Sequence, residues 1–352
     1  MGIGAPHHAF KTWIEARPQD AGLPSNLEHA LEKAFNAGSY PGLHGLLIVR
    51  NGKLGFERHF PGADETWGKG LGTVNHHADL PHDLRSITKS IVSLLYGIAL
   101  GAGLVPPVAT RLMDALPEHA DLLGNPLKRR ITIGHVLSMR MGLAWEEDLA
   151  YSDPMNGERL MGEATDRIRH VLGLPMAEPP GRRWVYCGGA TVLIGHLIER
   201  GTGQRLEDFA AQRLFGPLGI DDATWARWPD GRPAASSGLR MTARSLARIG
   251  QMVLDKGIWN GSRVVPASWI VSSLKPRAWA EPGLRYAYHW WLGNLVSNAK
   301  PWFAAYGNGG QRMIVIPSLK LVVVIFAGNY NTADQWKMPA KLMARIVMPA
   351  IV

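Results

Sequence analysis

The stretch Leu84-Arg85-Ser86-Ile87-Thr88-Lys89-Ser90-Ile91-Val92-Ser93-Leu94-Leu95-Tyr96-Gly97 carries the reading of this chain. It is strongly apolar after Ser86 and predicts a buried helix that begins at the serine. Ser86 and Lys89 are three residues apart, so on a helix they share a face, one turn from each other. A serine hydroxyl is a weak nucleophile until something takes its proton. A lysine one turn on can aim its amine at the serine oxygen. The helix start adds unpaired N–H groups and positive potential where negative charge would develop.

Spacing alone is not specific, because Ser-x-x-Lys also occurs at Ser272 to Lys275 and Ser297 to Lys300. Lys275 and Lys300 each precede a proline, and a residue before proline is pushed out of helical geometry. Those copies read as the tail of a helix and a loop.

Upstream, two apolar runs at 43–50 and 53–60 flank Asn51-Gly52, the strongest short-range hairpin signal. Residues 61–83 are rich in Gly, His, Asp and Pro and read as a loop leading into the Ser86 helix. Downstream, helical spacing predicts helices over 131–137, 167–172, 190–200 and 206–215. Another is predicted over 243–256, with Thr242 as its N-cap and Gly257 as its stop. Residues 144–183 otherwise read as long polar loops. Strands are expected over 284–292, 302–306, 311–316 and 321–327, followed by a helix over 331–351. Strands at both ends with helices between predict a mixed α/β (α+β) fold. One antiparallel sheet is flanked by helices and carries an inserted helical lobe. The expected division is 1–83 with 235–352 as the sheet domain and 84–234 as the mainly helical domain, with the site in the cleft between them.

Composition narrows the function. The 352 residues are 46% hydrophobic and 19% charged, which places the chain among globular proteins. The net charge is +9, but the basic residues are scattered and no nucleic-acid module is present, so nucleic acid is not an expected partner. Mild cationic character favours anionic substrates. Cys187 is the only cysteine, which excludes intrachain disulfides and a cysteine-rich metal site. No apolar run approaches a membrane span, residues 1–16 do not form a secretory signal, and Pro6 breaks the myristoylation pattern. The expected location is cytoplasmic, with no membrane partner. Among 13 histidines the densest group is His76-His77 with Asp79 and His82. It matches no known ligand spacing, so a structural or surface role is expected and no metal. Cys187 lacks a histidine partner in sequence and reads as a small buried residue.

Two further motifs give Ser86 its context. Tyr186 closes Gly181-Arg182-Arg183-Trp184-Val185-Tyr186, just before Cys187-Gly188-Gly189 and a helix. A phenol beside a lysine ammonium loses its proton more easily and can shuttle protons between nucleophile and leaving group. Tyr306-Gly307-Asn308-Gly309-Gly310-Gln311 reads as a strand edge running into a glycine turn. A free N–H there suits an oxyanion, beside the N–H of Ser86. The best position is Asn308, with Gly310 or Gln311 as register alternatives.

Taken in order, Ser-x-x-Lys at a helix start, a Tyr-x-Gly turn and a late glycine-rich strand edge resemble the serine hydrolases of the class C β-lactamase family. That family includes penicillin-binding DD-peptidases, β-lactamase-like esterases and 6-aminohexanoate-dimer (nylon oligomer) hydrolases. Flanking phrases are similar too: Ile131-Thr132-Ile133-Gly134-His135-Val136-Leu137, Pro217-Leu218-Gly219-Ile220 and Ser237-Gly238-Leu239-Arg240-Met241-Thr242. The resemblance runs from about Gly45 to Gly328. It implies a β-lactamase/transpeptidase-like fold and a cofactor-free acyl-enzyme mechanism. Ser86 would be the nucleophile, Lys89 a base kept neutral by desolvation, and Tyr186 its helper. Trp145, Tyr151, Tyr288 and Trp290 would line the cleft and touch a small ester or amide substrate. A homodimer stays open.

Two departures steer the substrate. The family's β-lactamases usually carry Tyr-x-Asn, where this chain has Gly188. They carry Lys-Thr-Gly where it has Tyr306-Gly307-Asn308. Both losses point to the esterase and nylon-oligomer-hydrolase-like branch. A β-lactamase or DD-peptidase, and a non-catalytic penicillin-binding-like sensor module, are the alternatives.

Overall fold

The structure, a computed structural model, describes residues 13–295 and 299–351. Ser297, from the third Ser-x-x-Lys copy, lies outside the described residues, as does most of the 1–16 segment. Ser272 ends the helix Ala267–Ser273 and Lys275 is exposed, as expected for a helix tail.

The Asn51-Gly52 turn joins β1 (Leu43–Arg50) to β2 (Lys53–His59), with both turn residues at positive φ. Residues 61–83 are not a loop. They form a hairpin of β3 (Pro61–Thr66) and β4 (Lys69–Asn75), then a short β5 (His82–Asp83). Every residue of β4 but Val74 is exposed, so no buried face imprints a period-2 hydrophobic pattern on it. β5, β6 (Thr224–Trp225) and β7 (Leu239–Met241) make a small sheet in the order β5-β7-β6. β8 (Ile258–Trp259) and β9 (Ser262–Arg263) pair as a hairpin.

The main sheet collects both ends of the chain. Its later strands are β10 (Ala278–Glu281), β11 (Leu284–Tyr286), β12 (Trp291–Asn294), β13 (Pro301–Gly307), β14 (Gln311–Ile316) and β15 (Leu321–Ala327). The order is β10-β11-β12-β13-β14-β15-β1-β2, antiparallel throughout. Both faces are covered, and the side chains alternate between two cores. Leu47, Val49, Val322 and Val324 face one, while Leu46, Ile48, Val323 and Ile325 face the other. The first core lies under the helices Ile87–Gly101 and Ala243–Leu254. Leu27–Asn36 and Lys337–Leu342 cover the second. The terminal helix expected over 331–351 begins only at Lys337.

The expected strand over 284–292 is two strands, β11 and β12, with a turn between them where His289 has φ 62°. The helix Gly157–Glu163, within the supposed loops of 144–183, is capped by the Asn156 side chain, which accepts the Arg159 N–H. No described helix is long and apolar enough to cross a membrane.

Candidate active site

Ser86 is the N-cap of the helix Ile87–Gly101, which is buried along nearly its whole length. The residue before it, Arg85, holds a left-handed backbone at φ 51°. Such a conformation costs about 1–2 kcal/mol for a side chain other than glycine. Three contacts hold it: ion pairs to Glu65 and to Asp83 (3.3 Å), and the Tyr330 ring 4.9 Å from the guanidinium. The chain therefore turns sharply out of β5 and presents Ser86 at the head of the helix.

Lys89 is 1% exposed. Its Nζ donates to Ser86 Oγ at 2.9 Å and to the Ser236 carbonyl at 3.2 Å. Tyr186 comes from the segment before the helix Gly188–Thr202 and lies over the same ammonium, with Nζ 4.9 Å from its ring centroid. Tyr186 also interacts electrostatically with both Ser86 and Lys89. Ser86 and Lys89, one helical turn apart, and Tyr186, 100 residues after Ser86, thus meet at one ammonium nitrogen.

The electrostatics correct one expectation. Burial does pull the Lys89 pKa down, but Tyr186, Glu147 and Glu158 together outweigh it and hold it above the ordinary lysine value. The direction favours the ammonium over the neutral amine expected. Burial also raises the Tyr186 pKa, against the opposing pull of Lys89, so the phenol rests protonated.

Sequence reasoning missed the two carboxylates. Glu147 accepts the Gly188 N–H at 2.6 Å and the Trp145 Nε1–H at 2.8 Å. Glu158 accepts hydroxyls from Ser236 (3.1 Å) and Ser237 (3.3 Å). A Cβ on Gly188 would stand 3.3 Å from an oxygen of each. Burial first, then the nearby Glu158 charge, pushes the Glu147 pKa up to about 7, while Lys89 pulls the other way. The missing asparagine at 188 was the available signal: the space that side chain would take is bounded by carboxylates.

At the strand edge Gly307 packs against the Leu84 carbonyl, two residues before Ser86, and Asn308 follows it. The two register alternatives fail. The Gly310 N–H is spent on the Gly307 carbonyl at 3.3 Å. Gln311 is fully buried, and its side chain bridges Ala327 by accepting the Ala327 N–H at 3.0 Å and donating to its carbonyl at 2.5 Å. The Gly309 N–H is likewise taken, by Gln335 Oε1 at 2.5 Å.

A cavity of about 810 Å³ opens over Tyr186, walled by Trp145, Trp184, Trp279 and Trp291 and reaching Glu147. Trp145 is therefore where expected. Tyr151 does not line it; it stands 50% exposed on the neighbouring loop, within electrostatic range of Glu158 and Arg85. Tyr288 and Trp290 are corrected outright. Both are core residues: Tyr288 stacks on Trp269 at 5.8 Å, and Trp290 meets Phe303 edge-on at 5.7 Å. The turn between β11 and β12 directs them inward, and reading 284–292 as one strand concealed it. Trp184 and Trp291 take their place, packed on Tyr186 at 6.0 Å each. Cys187 is buried, as expected, and burial raises its thiol pKa.

Comparison with known proteins agrees with this geometry. The β-lactamase family profile matches residues 27–346. The 6-aminohexanoate-dimer hydrolase of Paenarthrobacter ureafaciens is 28% identical over 267 residues, covering 69% of this chain and 65% of that protein. The ML-236A carboxylate methylbutanoyltransferase of Penicillium citrinum is 27% identical over 222 residues, covering 58% of this chain and 52% of its own length. The chain thus spans less than two-thirds of these curated relatives. Among solved structures, simvastatin synthase from Aspergillus terreus superposes with TM-score 0.66 at 17% identity, covering 89% of this chain and 93% of that one. The octameric penicillin-binding protein homologue from Pyrococcus abyssi also gives 0.66, at 16% identity, covering 91% and 76%. With a sheet built from both chain ends, a Ser86–Lys89–Tyr186 network at a helix start and a profile match across most of its length, this chain belongs to the β-lactamase family.

Proposed function

We propose that the protein is a cofactor-free serine hydrolase that cleaves small esters or amides through an acyl-enzyme, with Ser86, Lys89 and Tyr186 as its catalytic residues. The observation that carries this is the hydrogen bond from the buried Lys89 to Ser86, with the Tyr186 ring over the same nitrogen and Tyr186 itself lining an aromatic cavity. The likeness to a hydrolase of 6-aminohexanoate dimer and to an acyltransferase supports the same chemistry.

The charge states dictate a relay. Ser86 Oγ attacks the carbonyl carbon. Its proton passes to the Tyr186 oxygen as Tyr186 gives its own proton to the leaving nitrogen or oxygen. Lys89 keeps its charge, orients Ser86 and stabilises negative charge on the phenol during the transfer. The carbonyl oxygen sits between the N–H groups of Ser86 and Asn308. Water then attacks the acyl carbon, gives its proton to Tyr186, and the phenol proton returns to Ser86 Oγ. Trp145 would hold the substrate. We read the chain as two lobes, 1–83 with 235–352 and 84–234, acting as a cytoplasmic enzyme.

Wild type and Ser86→Ala should be assayed on p-nitrophenyl esters, nitrocefin and linear amide oligomers. Ester or amide turnover that Ser86→Ala abolishes, with its fold intact, is the expected result. Near-normal turnover by the variant, or no labelling of Ser86 by a fluorophosphonate, overturns the proposal. Nitrocefin turnover exceeding that of every ester moves the assignment to the β-lactamase alternative.

A further inference from the structure

Behind the nucleophile turn, four side chains from separate strands and loops converge. His44 lies on β1, Asp64 on β3, His76 just after β4, and His82 on β5. One potential ligand atom from each falls within 4.8 Å of the others. Each of the four side chains is at most 4% exposed. His77 and Asp79, grouped with them in sequence, are exposed and take no part.

Hydrogen bonding alone leaves this cluster unsatisfied. His82 Nδ1 bonds the Asp83 carbonyl at 3.0 Å, so it carries the hydrogen and Nε2 is a lone pair. His44 Nε2 is buried without a hydrogen-bond partner, and His44 Nδ1 lies 2.9 Å from His82 Nε2. The pair is a hydrogen bond when His44 Nδ1 carries the hydrogen, which leaves His44 Nε2 a buried lone pair with no donor. Asp64 Oδ1 adds acceptors 3.6 Å from His82 Nε2 and 4.0 Å from His44 Nδ1. His76 Nε2, buried and without a hydrogen-bond partner, lies 4.0 Å from Asp64 Oδ2. Three imidazoles and a carboxylate therefore crowd one point, and two of the rings each keep a buried nitrogen without a partner, which is costly in a buried setting.

We propose that His44, Asp64, His76 and His82 form a structural zinc site. Tetrahedral zinc holds its ligands at about 2.0–2.2 Å, so neighbouring ligand atoms lie roughly 3.3–3.5 Å apart. The measured separations bracket that range. Nitrogen and carboxylate donors without a thiolate suit zinc, and three imidazoles exclude magnesium and calcium, which take oxygen. The outer partners fit a metal centre as well. The backbone carbonyl of Asp83 addresses the far nitrogen of His82, and Tyr330 donates to Asp64 Oδ1 at 2.9 Å. Four protein ligands leave no open position, so the site is structural rather than catalytic. It ties β1, the β3–β4 hairpin and β5 together, four residues before Ser86.

The test uses untagged full-length protein, stripped with a chelator, incubated with one equivalent of zinc and freed of unbound metal. Elemental analysis should then find about one zinc per chain, and thermal melting should rise relative to the stripped protein. His76→Gln should lose the zinc and the shift, while His77→Gln, at the exposed neighbour, keeps both. Cobalt in place of zinc should give the intense visible bands of a tetrahedral site, which decides the matter if His76→Gln does not fold. Less than a tenth of an equivalent retained by the wild type, equal retention by His76→Gln, or an octahedral cobalt spectrum overturns the site.

Discussion

Replacing Glu147 with glutamine should make this protein more stable at pH 8 and leave it unchanged at pH 5. In the folded protein the Glu147 carboxyl titrates at about 7, against an ordinary value of 4.5. That displacement already includes the favourable pull of Lys89. A raised folded pKa means the folded state binds the proton more tightly than the unfolded chain. The resulting stability is complete below pH 4.5 and is lost as pH rises through 7. At 1.36 kcal/mol per pKa unit, the full displacement corresponds to a ceiling of about 3 kcal/mol. Glu147 is only partly buried as a residue and shares its charge with Glu158, so a working value is about 1–2 kcal/mol. Glutamine keeps an oxygen for the Gly188 and Trp145 donors, so the neutral forms are nearly isosteric. Lys89 stays charged across this window and adds no slope of its own. Melting curves of both proteins at pH 5, 6, 7 and 8, at constant ionic strength, test this. The curves should coincide at pH 5 and part by roughly 2–4 °C at pH 8, with the variant higher. A difference independent of pH, or a variant that melts lower at pH 8, would refute the argument that a buried carboxylate charge is being carried at a cost.

Two other substitutions follow from the same cluster. Lys89→Ala should lower kcat/KM for the best ester by at least about 10³-fold, and should destabilise the fold by roughly 3 kcal/mol because Glu147 and Glu158 lose their cation; denaturant unfolding separates the two effects, and adding Glu147→Gln should restore stability but not turnover. Gly188→Asn should cost about 1–3 kcal/mol, since its Cβ would press both carboxylates, and should not confer nitrocefin turnover; a stable variant with nitrocefin activity in a coupled melting and spectrophotometric assay would contradict the geometry.

Local signals made the candidate catalytic residues legible before the fold. Ser86, Lys89 and Tyr186 sit at helix starts, and a helix start is written in adjacent residues. The Asn51-Gly52 hairpin and the apolar runs of β14 and β15 were legible for the same reason: each element's pattern lies within a few residues. Three kinds of feature were not. β3 and β4 lack a buried face and so lack a pattern. Tyr288 and Trp290 are aromatic and near the cleft in sequence, but a positive φ at His289 between them turns both into the core. Glu147, Glu158 and the His44–His82 cluster are joined by tertiary contacts alone, and a short-range reading has no access to those.

Glu147 and Lys89 together decide how the site can work. For Lys89 to be a neutral base, the ammonium would have to give up its proton beside two carboxylates, Glu147 and Glu158, that favour the charge. Desolvation, the effect invoked for a neutral lysine, is the largest single influence here and still loses to the sum of the others. A family member with asparagine after its tyrosine would place a neutral amide where these carboxylates approach Gly188, and the balance could tip the other way. In this chain the bare glycine admits Glu147 onto its own N–H. That contact fixes the start of the helix carrying Tyr186's neighbours and supplies negative charge to Lys89 in a single stroke. In the proposed relay the proton traffic falls to Tyr186, whose pKa burial raises so that it has a proton to give at rest. A site built in this way needs no free amine at all; it needs a fixed positive charge and a phenol held against it.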